Sequence, residues 1–126
     1  MAPESAFRFP PARRLTRTAD LDAVRREGKR FRTPRLEVRY IASLSHLPRV
    51  GIIVPRHKQT AVARNRVKRR LRELVRCSLL PALSAPGALA SLDVVVRVMP
   101  EAYGADLATL AGDLQRAAEK LGGVAR

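Results

Sequence analysis

The chain has 126 residues, and 25 lysines and arginines against 11 acidic residues give it a formal net charge of +14. At this length we expect one domain with a single core, and a hydrophobic content of 46% is typical of a folded chain. No apolar run approaches the ~20 residues of a membrane span, and the segment from Met1 to Pro11 lacks the apolar stretch of a signal peptide. We therefore expect a very basic cytoplasmic domain that binds a polyanion, with nucleic acid or an anionic membrane surface as the alternatives.

Cys77 is the single cysteine, so no internal disulfide can form, in agreement with a reducing compartment. No histidine lies near it in the sequence. We therefore interpret Cys77 as a small buried or half-buried structural thiol rather than a catalytic one.

The sequence of the first half of the chain predicts a basic arm, one helix and two strands. Residues 1–13 are rich in Pro and Ala and form the arm, which we expect to be flexible. Thr18 can cap a short helix that ends at Gly28. Alternating apolar residues from Leu36 to Ile41 predict a strand with one face on the core. The apolar run Val50–Val54 predicts a central strand covered on both faces.

The second half predicts two helices around a third strand. Thr60 is a plausible N-cap for a helix that extends to about Leu80, and its predicted buried face comprises Ala63, Val67, Leu71, Leu74, Val75 and Ser78. A loop from Pro81 to Leu92 leads to a valine-rich strand, Asp93–Met99. A second amphipathic helix begins at Leu107 and is expected to stop at Gly122 and Gly123. The predicted order is therefore α-β-β-α-β-α.

The first of these helices carries the strongest functional signal. It contains seven basic residues and one acid, Glu73; the basic residues are Arg64, Arg66, Lys68, Arg69, Arg70, Arg72 and Arg76. Like charges one turn apart destabilise an isolated helix by about 0.2–0.5 kcal/mol per pair, which favours RNA or DNA phosphate binding over a merely solvated face. Asn65 suits a base edge or a ribose, or alternatively bonds its own first turn.

Catalytic patterns are not visible in the sequence. His46 and His57 lie in different elements without a nearby nucleophile or a carboxylate at metal-ligand spacing. The scattered acids resemble solubility or capping residues; they are Glu37, Asp93, Glu101, Asp106 and Asp113. An aromatic content of 4% argues against a sheet that stacks single-stranded bases on exposed rings. We expect phosphate and ribose contacts to dominate.

The run ARNRVKRRLRELVR, from Ala63 to Arg76, resembles the Arg-Asn-Arg signature helix of the bacterial ribonuclease P protein subunit. The resemblance extends upstream through RVGIIVPRHKQTAV and, further back, to Arg14-Leu15 and the helix that follows. Downstream it includes DVVVRV, Asp93–Val98. Because it covers about Arg14 to Leu121, we expect one RNA-binding domain at 14–121, between the arm at 1–13 and a C-terminal tail at 122–126.

This resemblance implies both a fold and a function. The fold would be α+β, a compact two-layer sandwich of a small mixed sheet and packed helices. A left-handed crossover through the basic helix would join parallel strands, against the general right-handed rule. The function would be that of the protein subunit of ribonuclease P, a ribonucleoprotein whose catalytic RNA, with bound Mg²⁺, removes the 5′ leader of precursor tRNA. The protein would bind both RNAs without a catalytic residue or metal site of its own, and no membrane or DNA partner is expected.

The resemblance also assigns site residues by position. RNA contacts would come from the signature helix, the turn before it and the first residue of the domain, at Arg64, Asn65, Arg66, Lys68, Arg69, Arg72, Arg76, Arg56, Lys58 and Arg14. The cleft for the single-stranded leader would lie around Leu21, Arg25, Arg39 and Ile52. Family members often have aromatic residues at or near Leu21 and Arg25, so hydrogen bonds or charge are the substitutes for base stacking here. The family also typically has a glycine where Gln59 stands and a lysine where His57 stands.

Two alternatives remain open at this point. A ribosomal or RNA-chaperone-like protein would show the same charge without a role in cleavage, although the Asn65-containing signature and its flanking strands count against it. A stand-alone nuclease would need an acid cluster or a histidine pair to bind a metal or activate water, and neither is visible in the sequence.

Overall fold

A computed structural model describes residues 9–43, 47–84 and 91–125. The strands are β1 (Lys29–Arg32), β2 (Leu36–Ala42), β3 (Arg49–Ile53) and β4 (Leu92–Val98). The α-helices are α1 (Thr18–Glu27), α2 (Ala61–Leu74), α3 (Leu80–Leu83) and α4 (Leu107–Ala125). A π-helical turn, Val75–Leu79, joins α2 to α3, and short 3₁₀ turns occupy Pro11–Arg13 and Pro100–Gly104. In the described part of the chain, no helix has the length and apolarity of a membrane span.

The strand β1 was not predicted, so the order of the major elements is α-β-β-β-α-β-α rather than α-β-β-α-β-α. Its sequence, KRFR, has one apolar residue and therefore no alternating pattern. Phe31 pairs in register with Val38 of β2 and packs against the core. The strand thus depends on its tertiary partners rather than on local sequence preference.

The four strands form one mixed sheet in the order β1-β2-β4-β3. β2 and β4 are antiparallel, whereas β3 and β4 are parallel and are connected through α2, which confirms the crossover connection. Its left hand stays a prediction. The expectation that β3 is central was wrong, because β3 lies at the edge of the sheet and β2 and β4 are the interior strands. A Cβ on Gly51 would lie 2.8 Å from Leu21 Cδ2 and 2.9 Å from Leu15 O, so α1 and the preceding segment cover this edge strand closely.

Helices cover both faces of the sheet, which corrects the two-layer expectation. Val94, Val96 and Val98 of β4 contribute to the larger core on the face of α2, α3 and α4. Successive strand residues point to opposite faces, and Val95 accordingly joins a smaller cluster with Val24 of α1. The sheet therefore lies between α1 and the other helices.

The helix boundaries depart from prediction in three places. Thr60 is the N-cap of α2, as predicted, and its Oγ1 accepts a hydrogen bond from Ala63 N at 3.1 Å. Thr18 is instead the first helical residue of α1 after the N-cap Arg17. The basic helix continues through the π-turn to Leu83, inside the predicted loop. α4 continues through Gly122 and Gly123 to Ala125, since a helix tolerates glycine at a modest energetic penalty.

The structure describes the predicted arm from Phe9 onwards. The Phe9 side chain is buried in the larger core, and the next residues form a 3₁₀ turn. Arg13 Nη1 donates to Ser84 Oγ at 3.1 Å. Residues 9–13 are therefore docked on the domain. Residues 1–8, His46 and positions 85–90, which are half of the predicted loop, lie outside the described residues.

Candidate nucleic-acid interface

The outward side of α2 carries a group of exposed polar and basic side chains that we call the open face. Its members are Asn65, Arg66, Lys68, Arg69 and Arg72. The opposite side is fixed in the core by Val67 and Leu71, which are 2% and 0% exposed. The 3.6-residue period therefore explains why the cations share one side of the helix.

Two other arginines of α2 are held by backbone carbonyls and lie outside the open face. Arg64 Nη2 donates to Val54 O at 3.1 Å, and Arg70 Nη1 donates to Ala105 O at 3.2 Å. Both side chains are half-buried. The structure thus places Arg64, a predicted RNA contact, at the junction between β3 and α2. Its buried Nε has no hydrogen-bond partner among the described residues.

Arg76, another predicted contact, lies in the π-helical turn and pairs with Glu73. Glu73 is the one acid in α2, so this pair neutralises charge at the end of the open face. Cys77 follows in the same turn and is exposed, which corrects its assignment as a buried or half-buried thiol.

Arg14, which directly follows the N-terminal arm, lies beside the open face. Arg14 Nε donates to Phe9 O at 2.8 Å, and the guanidinium lies 5.3 Å from the centre of the Phe9 ring. A groove of about 520 Å³ runs between this segment and α2, with Arg14, Arg69 and Arg72 in its wall. The sequence-predicted Arg14 is therefore part of the same basic surface.

The turn between β3 and α2 presents Arg56 and Lys58 to solvent. His57 and Lys58 have φ values of 44° and 61°, and Gln59 N donates to Arg56 O at 2.7 Å. Two successive positive φ values fit a type I′ turn, which usually contains glycine. Contacts with the end of β4 and the segment after it hold this strained turn. Tyr103 Oη donates to Pro55 O, and His57 Nε2 lies 3.3 Å from Val98 O.

A cleft of about 290 Å³ lies between α1 and the sheet. Its lining residues are Leu21, Arg25, Glu37, Arg39, Ile53, Pro55, Val95 and Arg97. Three of the four predicted residues, Leu21, Arg25 and Arg39, are among them. Ile52 is not, because its side chain points to the other face of β3 and packs against the larger core. The neighbouring residue Ile53 lines the cleft where Ile52 was expected.

Glu37 is the cleft residue that sequence reasoning missed most clearly. It is 4% exposed, and its two carboxylate oxygens accept hydrogen bonds from Arg39 Nε at 3.0 Å and Arg32 Nη2 at 3.2 Å. Burial opposes ionisation, but the bonds and charges of the two arginines outweigh it and lower the pKa of Glu37 below its ordinary 4.5. The spacing of Glu37 and Arg39 was a usable signal, since residues two apart share one face of a strand.

Two further acids, Asp93 and Asp113, also differ from their interpretation as solubility or capping residues. Asp93 is buried and accepts from Arg49 at 3.0 and 2.7 Å, and these bonds raise the pKa of Arg49. Asp113 is 1% exposed and accepts from Thr33 and Arg35, which fastens the β1–β2 connection to α4. Only Asp106 is confirmed as a cap, because its Oδ1 accepts from Thr109 N at 2.8 Å.

Among the described residues, no aromatic ring lines the cleft and no group of side chains is suited to bind a metal ion. Their aromatic side chains pack elsewhere than the cleft; Phe31, for example, lies beneath Lys120, with Nζ 4.7 Å from the ring centre. Across residues 9–43, 47–84 and 91–125, no three His, Cys, Asp or Glu side chains form a group that could hold a metal ion. The surface therefore offers cations, amides and apolar contacts to a ligand.

Comparisons with known proteins identify the family of this chain. A family model described as Ribonuclease P matches residues 9–122. The ribonuclease P protein component of Streptomyces avermitilis is 42% identical over 128 residues, covering 94% of this chain and 99% of the relative. That of Streptomyces bikiniensis is 43% identical over 122 residues, covering 90% and 94%.

Two solved structures show the same fold. The RNase P protein of Staphylococcus aureus superposes with a TM-score of 0.71 at 20% identity, covering 90% of this chain and 98% of that one. The protein from Thermotoga maritima gives 0.68 at 24% identity, covering 85% and 96%. The structures establish the architecture, and the family model and the sequence relatives establish the kinship. The chain belongs to the family of ribonuclease P protein components, the protein subunits of a ribonucleoprotein endonuclease of tRNA processing.

Proposed function

We propose that this chain binds the catalytic RNA of ribonuclease P through the open face and holds the 5′ leader of precursor tRNA in the cleft. Binding of both RNAs promotes endonucleolytic removal of the leader and maturation of the tRNA 5′ end in the cytoplasm. The observation that carries the proposal is the open face itself. Four cations and Asn65 lie there together, while Val67 and Leu71 on the opposite side of α2 are buried in the core.

The open face suits a folded RNA because phosphate contacts release condensed counterions and dominate affinity. Arg14 adds a further cation beside Arg72, and Arg56 and Lys58 extend the positive surface towards the cleft, which begins at Pro55. The cleft has three arginines and one glutamate among its lining residues, a net charge of +3 − 1 = +2. Its volume of about 290 Å³ and its partly apolar lining fit a single strand better than a duplex.

The Mg²⁺ of the reaction is proposed to be held chiefly by the RNA subunit. Mg²⁺ prefers carboxylate and phosphate oxygens, but Glu73, the one acid of α2, is paired with Arg76. The residues of the open face would instead neutralise and orient phosphates near the metal. Acceleration by the protein then comes from positioning two RNAs rather than from a protein-bound ion.

Reconstitution tests this function. Added to the cognate catalytic RNA at low Mg²⁺, the chain is expected to stimulate cleavage of precursor tRNA. The double variant Arg69→Ala/Arg72→Ala should lose most of the stimulation. Arg116→Ala/Lys120→Ala is the matched control, because it removes the same charge from α4 and should keep the stimulation.

Three results would contradict the proposal. Equal loss in both double variants would show that total charge matters rather than the open face. Tight RNA binding without stimulation would support the RNA-chaperone alternative. Cleavage by the protein without the catalytic RNA would support a stand-alone nuclease.

A further inference from the structure

The guanidinium of Arg39 is fixed in the cleft at two points. Its Nε donates to Glu37 Oε1 at 3.0 Å, and its Nη1 donates to the carbonyl oxygen of Arg25, near the end of α1, at 2.7 Å. Two bonds from different edges of a planar group define the orientation of its plane. The Arg39 side chain still exposes 25% of its surface, so a ligand can reach it.

The attraction of phosphate does not explain why a carboxylate, that of Glu37, lies in this basic cleft. A site that only attracts phosphate is weakened by a carboxylate, yet Glu37 lies in the wall of the cleft and directly across from Arg97 in the β2–β4 register. Its second oxygen accepts from Arg32, so β1 also holds it in place. What this carboxylate contributes is geometry, since it orients Arg39 at the expense of one positive charge.

The surroundings of Arg39 favour a flat, uncharged ligand group. Leu21, Ile53 and Val95 give the same cleft an apolar lining, and no aromatic ring among the described residues lines it. Its volume of about 290 Å³ is at the lower end for ligand pockets, which suits one nucleotide rather than several. Unpaired RNA bases stack on guanidinium planes as well as on aromatic rings.

We infer that Glu37 is a positioning residue that holds Arg39 as a flat platform on which one unpaired nucleobase of the bound leader stacks. The inference rests on the proposed function, because it names how the cleft recognises the leader. It also explains how a cleft without aromatic rings can bind a base and not only a phosphate.

The experiment measures dissociation constants with the holoenzyme assembled from the cognate catalytic RNA. The ligands are precursor tRNA, mature tRNA without a leader, and precursors that carry a single abasic nucleotide at successive leader positions. For the unsubstituted protein, one abasic position should weaken binding by about 5- to 150-fold, the range for loss of one stacked base. The other positions should matter little.

Three variants separate positioning from charge. Arg39→Lys keeps the charge but removes the plane, so the abasic penalty should disappear. Glu37→Gln should reduce that penalty and weaken leader binding, although the cleft becomes more positive. Asp93→Asn is the matched control, because it neutralises another buried carboxylate, paired with Arg49 and outside the cleft lining; it should keep the penalty. Thermal unfolding of each variant identifies any that fail to fold, and Arg39→Lys decides the question if Glu37→Gln is among them.

Each result has a distinct meaning. If Glu37→Gln binds the leader more tightly and keeps the abasic penalty, or if Arg39→Lys keeps it, the platform is refuted and charge alone describes the cleft. If the unsubstituted holoenzyme shows a leader preference but no abasic penalty at any position, the platform is also refuted while leader binding stands. If precursor and mature tRNA bind equally to the unsubstituted holoenzyme, leader binding by the cleft, and with it the proposed function, fails.

Discussion

The open face and the cleft are both basic, but they are built in different ways. On the open face, exposed cations project from one helix whose single acid lies at its end. In the cleft, Arg39 is tethered to a buried carboxylate and to a backbone carbonyl. The first arrangement maximises positive charge and leaves the side chains adjustable. The second gives up charge to fix one orientation, and we therefore expect the two surfaces to respond differently to salt, pH and substitution.

The largest expected effect concerns the side of α2 opposite the open face. Val67→Asp should lower the free energy of unfolding by at least about 3 kcal/mol, because it buries a charge without a partner. Urea unfolding measures the change. Val62→Asp is the control on the same helix, where the side chain is 69% exposed, and it should leave stability nearly unchanged. Native stability of Val67→Asp would reverse the assignment of the two sides of α2.

An intermediate effect distinguishes the two surfaces by salt. Arg72→Ala should weaken binding to the catalytic RNA and reduce the slope of log affinity against log salt by about 0.7–0.9, the contribution of one phosphate contact. Arg39→Lys should leave the slope unchanged, since the charge of the cleft is conserved. Arg116→Ala serves as a control outside both surfaces. An unchanged slope for Arg72→Ala would place this residue outside the RNA contact.

The smallest expected effect is the acid response of the cleft. The arginine pairs lower the pKa of Glu37 below 4.5 in the folded state, so the ionised carboxylate stabilises the fold. This contribution is complete above about pH 4.5 and is lost as the pH falls through the lower folded pKa. The stability difference between the unsubstituted protein and Glu37→Gln should therefore shrink in acid. A difference that is constant from pH 6 to pH 3 would show that the ion pairs contribute nothing.

The open face could be predicted almost completely from the sequence, whereas the cleft could be predicted only in part. Because an α-helix has a fixed period, the spacing of residues in the sequence determines which side of the helix each one occupies. Val67 and Arg72 can therefore be assigned to opposite sides of α2 without knowledge of the tertiary fold. The cleft joins α1 to three strands, and its inner composition depends on pairing. Without β1, whose sequence has no alternation, Arg32 could not be placed beside Glu37.

The errors in the cleft have the same origin. The run Val50–Val54 appeared apolar on both faces, so the sequence did not indicate which of Ile52 and Ile53 faces α1. Parallel pairing with β4 decides this, because Ile52 pairs with Val96 of the larger core and Ile53 with Arg97 of the cleft. The register between two strands that are distant in the sequence cannot be predicted from either strand alone.

Gly51 gives the cleft its width. A methyl group at this position would overlap the side chain of Leu21 and the backbone of Leu15, and Leu21 forms one wall of the cleft. Any larger residue would push that wall away from the sheet and separate it from the platform at Arg39. The fit between the cleft and one base therefore depends on the absence of a Cβ atom at Gly51.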